Sequence, residues 1–199
     1  MSMNVLKKIF LSVLCTVAVS VAAWGEELVS AVLPIADPYV LFYEDTYYAY
    51  GTSRADGFEV YSSKDLKSWK RSSRLALSKE DSYGDKWFWA PEVYYVAKEK
   101  KFYMYYSVEE HVCVATSDSP FGPWKKSRKN PLLHKVEELV GTGHGAPFLD
   151  RTGRYRYVFH AHKSRTEVNQ RNSYIIDMSL TGEDRVSIGG GLIRPEVVK

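Results

Sequence analysis

Three short segments carry side chains suited to proton transfer. Asp37 stands before Pro38, Glu92 follows Pro91, and His144 sits between Gly143 and Gly145. Carboxyl and imidazole groups are the usual proton carriers of enzymes near neutral pH. Two carboxyls can share one hydrolysis, one protonating the leaving oxygen while the other activates water. Each residue also has an ordinary reading. Asp before Pro is a common turn residue, the chain holds 24 acids, and a lone His is as readily a hydrogen-bonded core residue. Only the elements around them can turn these residues into a site.

Those elements repeat. The first unit runs from Ala36-Asp37-Pro38 through the aromatic stretch Thr46–Tyr50 and Phe58–Ser63 to Ser68-Trp69. The second runs from Ala90-Pro91-Glu92 through Lys101–Tyr106 and Val112–Ser117 to Pro123-Trp124. The third starts at Gly145-Ala146-Pro147 and continues through Arg154–Phe159 and Ser173–Ile176. Pro38, Pro91 and Pro147 are 53 and then 56 positions apart, and Trp69 and Trp124 are 55 apart. Each unit holds about four short strands split by turn signals such as Glu44-Asp45, Lys98-Glu99 and Asp150–Gly153. A repeat of roughly 50 residues with four strands per unit reads as the blades of an all-β propeller. A β-sandwich is the alternative, but it does not explain the shared motif order. The first strand of a blade lines the central channel, so Asp37, Glu92 and Gly143-His144-Gly145 are expected on three innermost strands, converging near the axis. Three blades are fewer than the roughly 4–8 that close a ring. An open ring leaves edges to be covered, and oligomerisation is one way to cover them.

Composition narrows the setting. At 199 residues the chain is long enough for one domain with its own core, and its 15 Tyr outnumber its 8 Phe and 5 Trp together, as suits half-buried sheets and sugar-stacking surfaces. Lys7 and Lys8 precede an apolar run from Ile9 to Val21, with Ala23 and Gly25 placed for cleavage. Residues 1–25 therefore read as a secretory signal, residues 26–199 as the mature domain, and the location as secreted or periplasmic. Leu14 before Cys15 is a poor lipoprotein site, so no membrane anchor is expected. Removing the signal takes away two lysines and no acid, lowering the formal charge from +3 to +1. That near-neutral balance argues against a nucleic-acid partner. Cys113 is then the only cysteine, which excludes an intrachain disulfide.

With the repeat in register, the chain resembles glycoside hydrolase family 43. The matching segments are Ile35–Val40, Trp89-Ala90-Pro91-Glu92-Val93, Ala115–Trp124 and Gly141-Thr142-Gly143-His144-Gly145. The resemblance implies a five-bladed propeller of inverting enzymes acting mainly on arabinose- and xylose-containing polysaccharides. It implies Asp37 as general base, Trp89 and Glu92 as pocket residues, and His144 near the axis, where it often helps hold a central calcium ion. One departure stands out. Only 16 residues separate Trp124 from Gly141, so the middle blades have no room. The family's general acid and pKa-tuning Asp lack counterparts, and Glu92 would have to stand in for the acid. The expectation is a truncated propeller of about three blades that hydrolyses O-glycosidic bonds in such polysaccharides. The alternative is a catalytically inactive homologue that binds oligo- or polysaccharide through Trp87, Trp89 and nearby tyrosines, or a gene remnant.

Other motifs have plainer readings. His160 and His162 share one strand face, expected to be half-exposed rather than a metal pair. Glu109, Glu110, Glu137 and Glu138 read as solvated loop charges, and Lys125–Lys129 as a solvated basic run. Arg194-Pro195 is expected to close the last blade against the first. Gly189-Gly190-Gly191 lacks the strand–helix setting of a phosphate loop.

Overall fold

The computed structural model describes residues 27–29, 32–180 and 186–198; the predicted signal, residues 1–25, lies outside them. The first unit contains β1 (Glu27–Val29), β2 (Ala36–Tyr43), β3 (Thr46–Thr52), β4 (Gly57–Phe58), β5 (Tyr61–Ser63), β6 (Trp69–Arg71) and β7 (Leu77–Ser78). The second contains β8 (Trp89–Val96), β9 (Lys101–Val108), β10 (His111–Ser117) and β11 (Lys125–Lys126). The third contains β12 (Gly143–Leu149), β13 (Tyr155–Ala161), β14 (Asn172–Ser179) and β15 (Ser187–Ile188).

Each unit is an antiparallel meander. The sheet orders are β2-β3-β5-β6-β1, β8-β9-β10-β11 and β12-β13-β14-β15, with β4 and β7 forming a separate ladder. These are three blades of an all-β propeller, as the repeat predicts. The first blade differs by one strand, because β1 pairs with the outer edge of β6. Among the described residues no helix is long and apolar enough to cross a membrane.

Strand β9 shows why the blades stack. Its sequence Lys-Phe-Tyr-Met-Tyr-Tyr-Ser-Val is almost wholly apolar or aromatic, the pattern of a strand buried on both faces. Side chains alternate across a strand. Phe102, Met104 and Tyr106 therefore enter one core, with Tyr50, Phe58 and Trp124. Tyr103 and Tyr105 enter the other, with Tyr157, Phe159 and Ile176. The second blade thus packs against the first on one face and directly against the third on the other. The turns fit this scheme. Glu44 and Asp45 between β2 and β3, and Glu109 and Glu110 between β9 and β10, all have positive φ, as two-residue hairpin loops that match strand twist require.

The C-terminal segment corrects one expectation. Ile193 pairs with Ile175, extending the outer edge of the third blade beyond β15. Arg194 donates to Glu137 Oε2 at 2.6 Å and to Glu138 Oε1 at 2.9 Å. It therefore ties the chain end to the connection before the third blade rather than to the first blade, and these two glutamates are ion-paired rather than simply solvated.

The packing on the two sides of β9 predicts a contrast in stability. Phe159→Ala, at a side chain 1% exposed, should cost about 3–5 kcal/mol. Phe42→Ala, at a side chain 58% exposed, should cost less than about 1 kcal/mol. Denaturant unfolding of both variants measures this, and similar losses would contradict the packing.

Candidate functional site

All three innermost strands are interrupted near their start. The ladder register slips between Ala36 and Tyr39 on β2, between Trp89 and Glu92 on β8, and between Gly143 and Gly145 on β12. Inside each bulge one residue is left-handed: Asp37 at φ 45°, Ala90 at φ 48° and His144 at φ 32°. A non-glycine residue there costs of order 1–3 kcal/mol, and a bulge re-aims the side chains around it. The third bulge also needs Gly145, where a Cβ would lie 2.3 Å from the Val158 carbonyl oxygen.

The bulges revise the register read from the prolines. Asp37, Ala90 and His144 are structurally equivalent, 53 and 54 positions apart. Glu92 lies beyond its bulge, and Pro147 lies three residues past His144, in the regular ladder. An inserted residue shifts the side-chain phase by one, which a proline spacing does not reveal.

Hydroxyl groups hold the bulges across the blade interfaces. Thr52 Oγ1 donates to Asp37 Oδ2 at 2.7 Å and accepts the Ala90 N–H at 2.9 Å. Ser107 Oγ accepts the His144 N–H at 2.7 Å. Thr52 pairs with Ala36, Ser107 with Trp89, and His160 with Gly143. The three are equivalent, so His160 stands where the first two blades place the hydroxyl that caps the next blade. Burial, followed by the nearby Arg171, His144 and His162, pushes the His160 imidazole down to about 4, with Asp37 opposing.

These residues surround a cavity of about 410 Å³, whose walls include Asp37, Trp89, His144, Glu110, His160 and His162. His144 lies between two carboxylates, its Nδ1 3.9 Å from Asp37 Oδ1 and its Nε2 3.8 Å from Glu92 Oε1. Asp37 is open to the cavity. Glu92 is not among its lining residues; its side chain is 17% exposed and its Oε2 accepts the Tyr94 hydroxyl at 2.5 Å. Burial and the Glu92 charge push the Tyr39 hydroxyl up to about 12. Trp87 and Trp89 stack in parallel, 6.0 Å apart and inclined by 4°, and both are exposed. A flat pair of exposed indoles beside a carboxylate suits the apolar face of a sugar ring.

Of the residues the sequence singles out, Asp37, Trp89 and His144 line the cavity, Trp87 stacks against Trp89, and Glu92 lies against His144. The sequence pattern gives His160 and His162 a half-exposed face; both line the cavity, and His162 is 11% exposed. Thr52 and Ser107 carry no motif of their own in the sequence, although they stand at the last and next-to-last positions of equivalent strands, 55 positions apart. Among the described residues no group of three or more His, Cys, Asp or Glu side chains is arranged to hold a metal ion.

Residues 32–113 match the model of glycosyl hydrolases family 43. No curated protein matches the chain. Among solved structures, a thermostable family-43 glycoside hydrolase is 31% identical, with a TM-score of 0.66, over 82% of this chain and 54% of its own. An α-L-arabinofuranosidase from Clostridium thermocellum is 25% identical, with a TM-score of 0.60, over 79% of this chain and 55% of its own. An endo-1,4-β-xylanase from Bacteroides thetaiotaomicron is 34% identical over 84% of this chain and 98% of its own, with a TM-score of 0.41. The chain spans about half the length of the first two proteins.

Two outcomes follow from the site's geometry. Thr52→Val removes the partner of a backbone N–H and of a carboxylate, and should cost about 1–3 kcal/mol. Thr46→Val, whose hydroxyl makes only an exposed contact of 3.4 Å, should cost far less; equal losses in denaturant unfolding would contradict the bridging role. Because the folded value of His160 lies below the ordinary 6.5, the unfolded chain binds its proton first. Stability should fall on acidification from pH 6.5 towards 4, and His160→Gln should flatten that part of the profile. An unchanged profile would show that His160 is not held neutral.

Proposed function

This chain belongs to glycosyl hydrolases family 43, and from that premise we propose that it hydrolyses O-glycosidic bonds in arabinose- and xylose-containing polysaccharides by an inverting route, with Asp37 as general base. The observation that carries the reading is Asp37 itself. Its carboxylate faces the cavity, is fixed by the Thr52 hydroxyl at 2.7 Å, and shares the wall with Trp89. A carboxylate so fixed can take a proton from water as the water oxygen attacks the anomeric carbon, which inverts the configuration there.

Arabinose as a substrate sugar is supported by the likeness to the arabinofuranosidase, and xylose by the family resemblance. His144, between the Asp37 and Glu92 carboxylates, is a substrate-binding residue on this reading, donating to a sugar hydroxyl. Export from the cytoplasm belongs to the same proposal and rests on the Lys7–Gly25 pattern. The parallel indoles of Trp87 and Trp89 favour a second reading, carbohydrate binding without turnover, because they stack sugar whether or not the chemistry is complete.

Assay of the chain on nitrophenyl arabinofuranosides and xylosides, and on arabinan and xylan, separates the two. Hydrolysis is expected, with Asp37→Ala lowering it by about 10²–10⁴-fold. Turnover indifferent to Asp37→Ala would overturn the catalytic reading. Affinity for arabino- or xylo-oligosaccharides without any turnover would establish the second, and Trp89→Ala should then weaken that affinity without changing the melting temperature.

A further inference from the structure

Hydrolysis between two carboxyl groups needs the second to reach the leaving oxygen from within the same cavity. Glu92 is less suited to this: its side chain is 17% exposed, its Oε2 accepts the Tyr94 hydroxyl, and its Oε1 faces His144 at 3.8 Å. Another carboxyl does line the wall. Glu110 lies in the turn between β9 and β10, at the same end of the blades as the Asp37 and His144 bulges.

Its surroundings come from the β7–β8 connection, the β11–β12 connection and His162. Glu109 and Glu110 have φ of 52° and 60°, and their side chains serve different neighbours. Glu109 Oε1 accepts the Asp85 N–H at 3.2 Å. Glu110 Oε1 lies 3.9 Å from His162 Nε2. The Glu110 backbone is held too: its carbonyl accepts the hydroxyl of fully buried Thr142 at 3.2 Å. Gly141, at φ 60°, lets the chain pass the His162 ring, where a Cβ would approach to 2.2 Å. The His162 N–H in turn donates to the Val140 carbonyl at 2.9 Å. The segment 140–142 thus fixes Glu110 and His162 together. The Glu110 side chain stays 45% exposed, open to proton exchange with solvent.

We propose that Glu110 is the general acid of this chain, with His162 as its positioning residue. The inference rests on the hydrolase reading of Asp37. In the step, the Glu110 proton passes to the glycosidic oxygen as its bond to the anomeric carbon breaks. Water forms the new bond to that carbon, and Asp37 takes the proton the water loses. Asp37 then releases its proton and Glu110 regains one, so that one water is consumed and both groups are restored.

The test compares leaving groups in the full chain. Glu110→Gln should lower kcat/KM on arabino- and xylo-oligosaccharides by about 10²–10⁴-fold. It should lower kcat/KM far less on dinitrophenyl glycosides, whose leaving group needs no proton. It should also remove the alkaline limb of the pH profile. His162→Gln should shift that limb without removing it. Equal losses on both substrate types, an intact alkaline limb, or no loss would overturn the proposal while leaving the role of Asp37 standing. A wild-type chain that turns over neither substrate type overturns the hydrolase reading and this inference together. Glu110→Asp, compared by melting curve, guards against a folding defect: it should keep the alkaline limb and show a steeper dependence on leaving group, and an unchanged dependence would count against the proposal.

Discussion

A left-handed residue inside a β-bulge keeps its place only when the backbone around it is held. In this chain the holding group comes from the neighbouring blade. Thr52 of the first blade accepts the Ala90 N–H of the second, and Ser107 of the second accepts the His144 N–H of the third. The bonds that fix the second and third bulges are therefore also bonds between blades, while Thr52 holds the first bulge from within its own blade. Aiming the side chains and stacking the sheets are one constraint, and Thr52 joins it to the chemistry by binding the Asp37 carboxylate. A hydroxyl suits both tasks, because it can donate to a carboxylate and accept from an amide at once.

The stack beneath is unequal from end to end. The second blade is covered on both faces, burying Phe102, Met104 and Tyr106 against the first blade and Tyr103 and Tyr105 against the third. The outer blades are covered less evenly: the first buries Ala49, Tyr61 and Trp69 on its far face under Leu33 and Ile35 but leaves part of its β2 edge open. On the first, Val40 and Phe42 alternate with the inward Tyr39, Leu41 and Tyr43 and remain exposed. On the third, Phe148 and Leu149 remain exposed near the end of β12. The site sits over the best-packed part of the molecule, where β8 and β9 hold Trp89 and Ser107 opposite each other. That placement suits a site whose geometry must persist while its mouth stays open.

The repeat made the blades and the axis legible, since a period near 54 recurs in prolines, tryptophans and aromatic strands. It located Asp37, Trp89 and His144 because each stands in a short motif at a strand start. It brought Glu92 to the innermost strand beside His144 but did not reveal its side-chain phase, because one inserted residue at each bulge changes which side chain faces the axis, and spacing alone is blind to that. Thr52 and Ser107 were readable in principle, one repeat apart at the ends of equivalent strands. Glu110 was not. A glutamate in a hairpin turn looks like any solvated charge until the segment from Val140 to Thr142, some thirty residues on, is seen folded against it. Arg194 and its partners Glu137 and Glu138 escaped for the same reason, their pairing being set by tertiary structure rather than by local pattern.

The central claim is that three bulged strands converge on one sugar-binding hydrolytic centre. A crystal structure of the chain with a bound arabino- or xylo-oligosaccharide tests it most directly. The account predicts a sugar ring lying over Trp89, its anomeric carbon between the carboxyl groups of Asp37 and Glu110, and Thr52 still bridging Asp37 to the Ala90 N–H. Sugar bound away from this cavity, or an Asp37 carboxylate turned from it with Thr52 unbonded, would contradict the account.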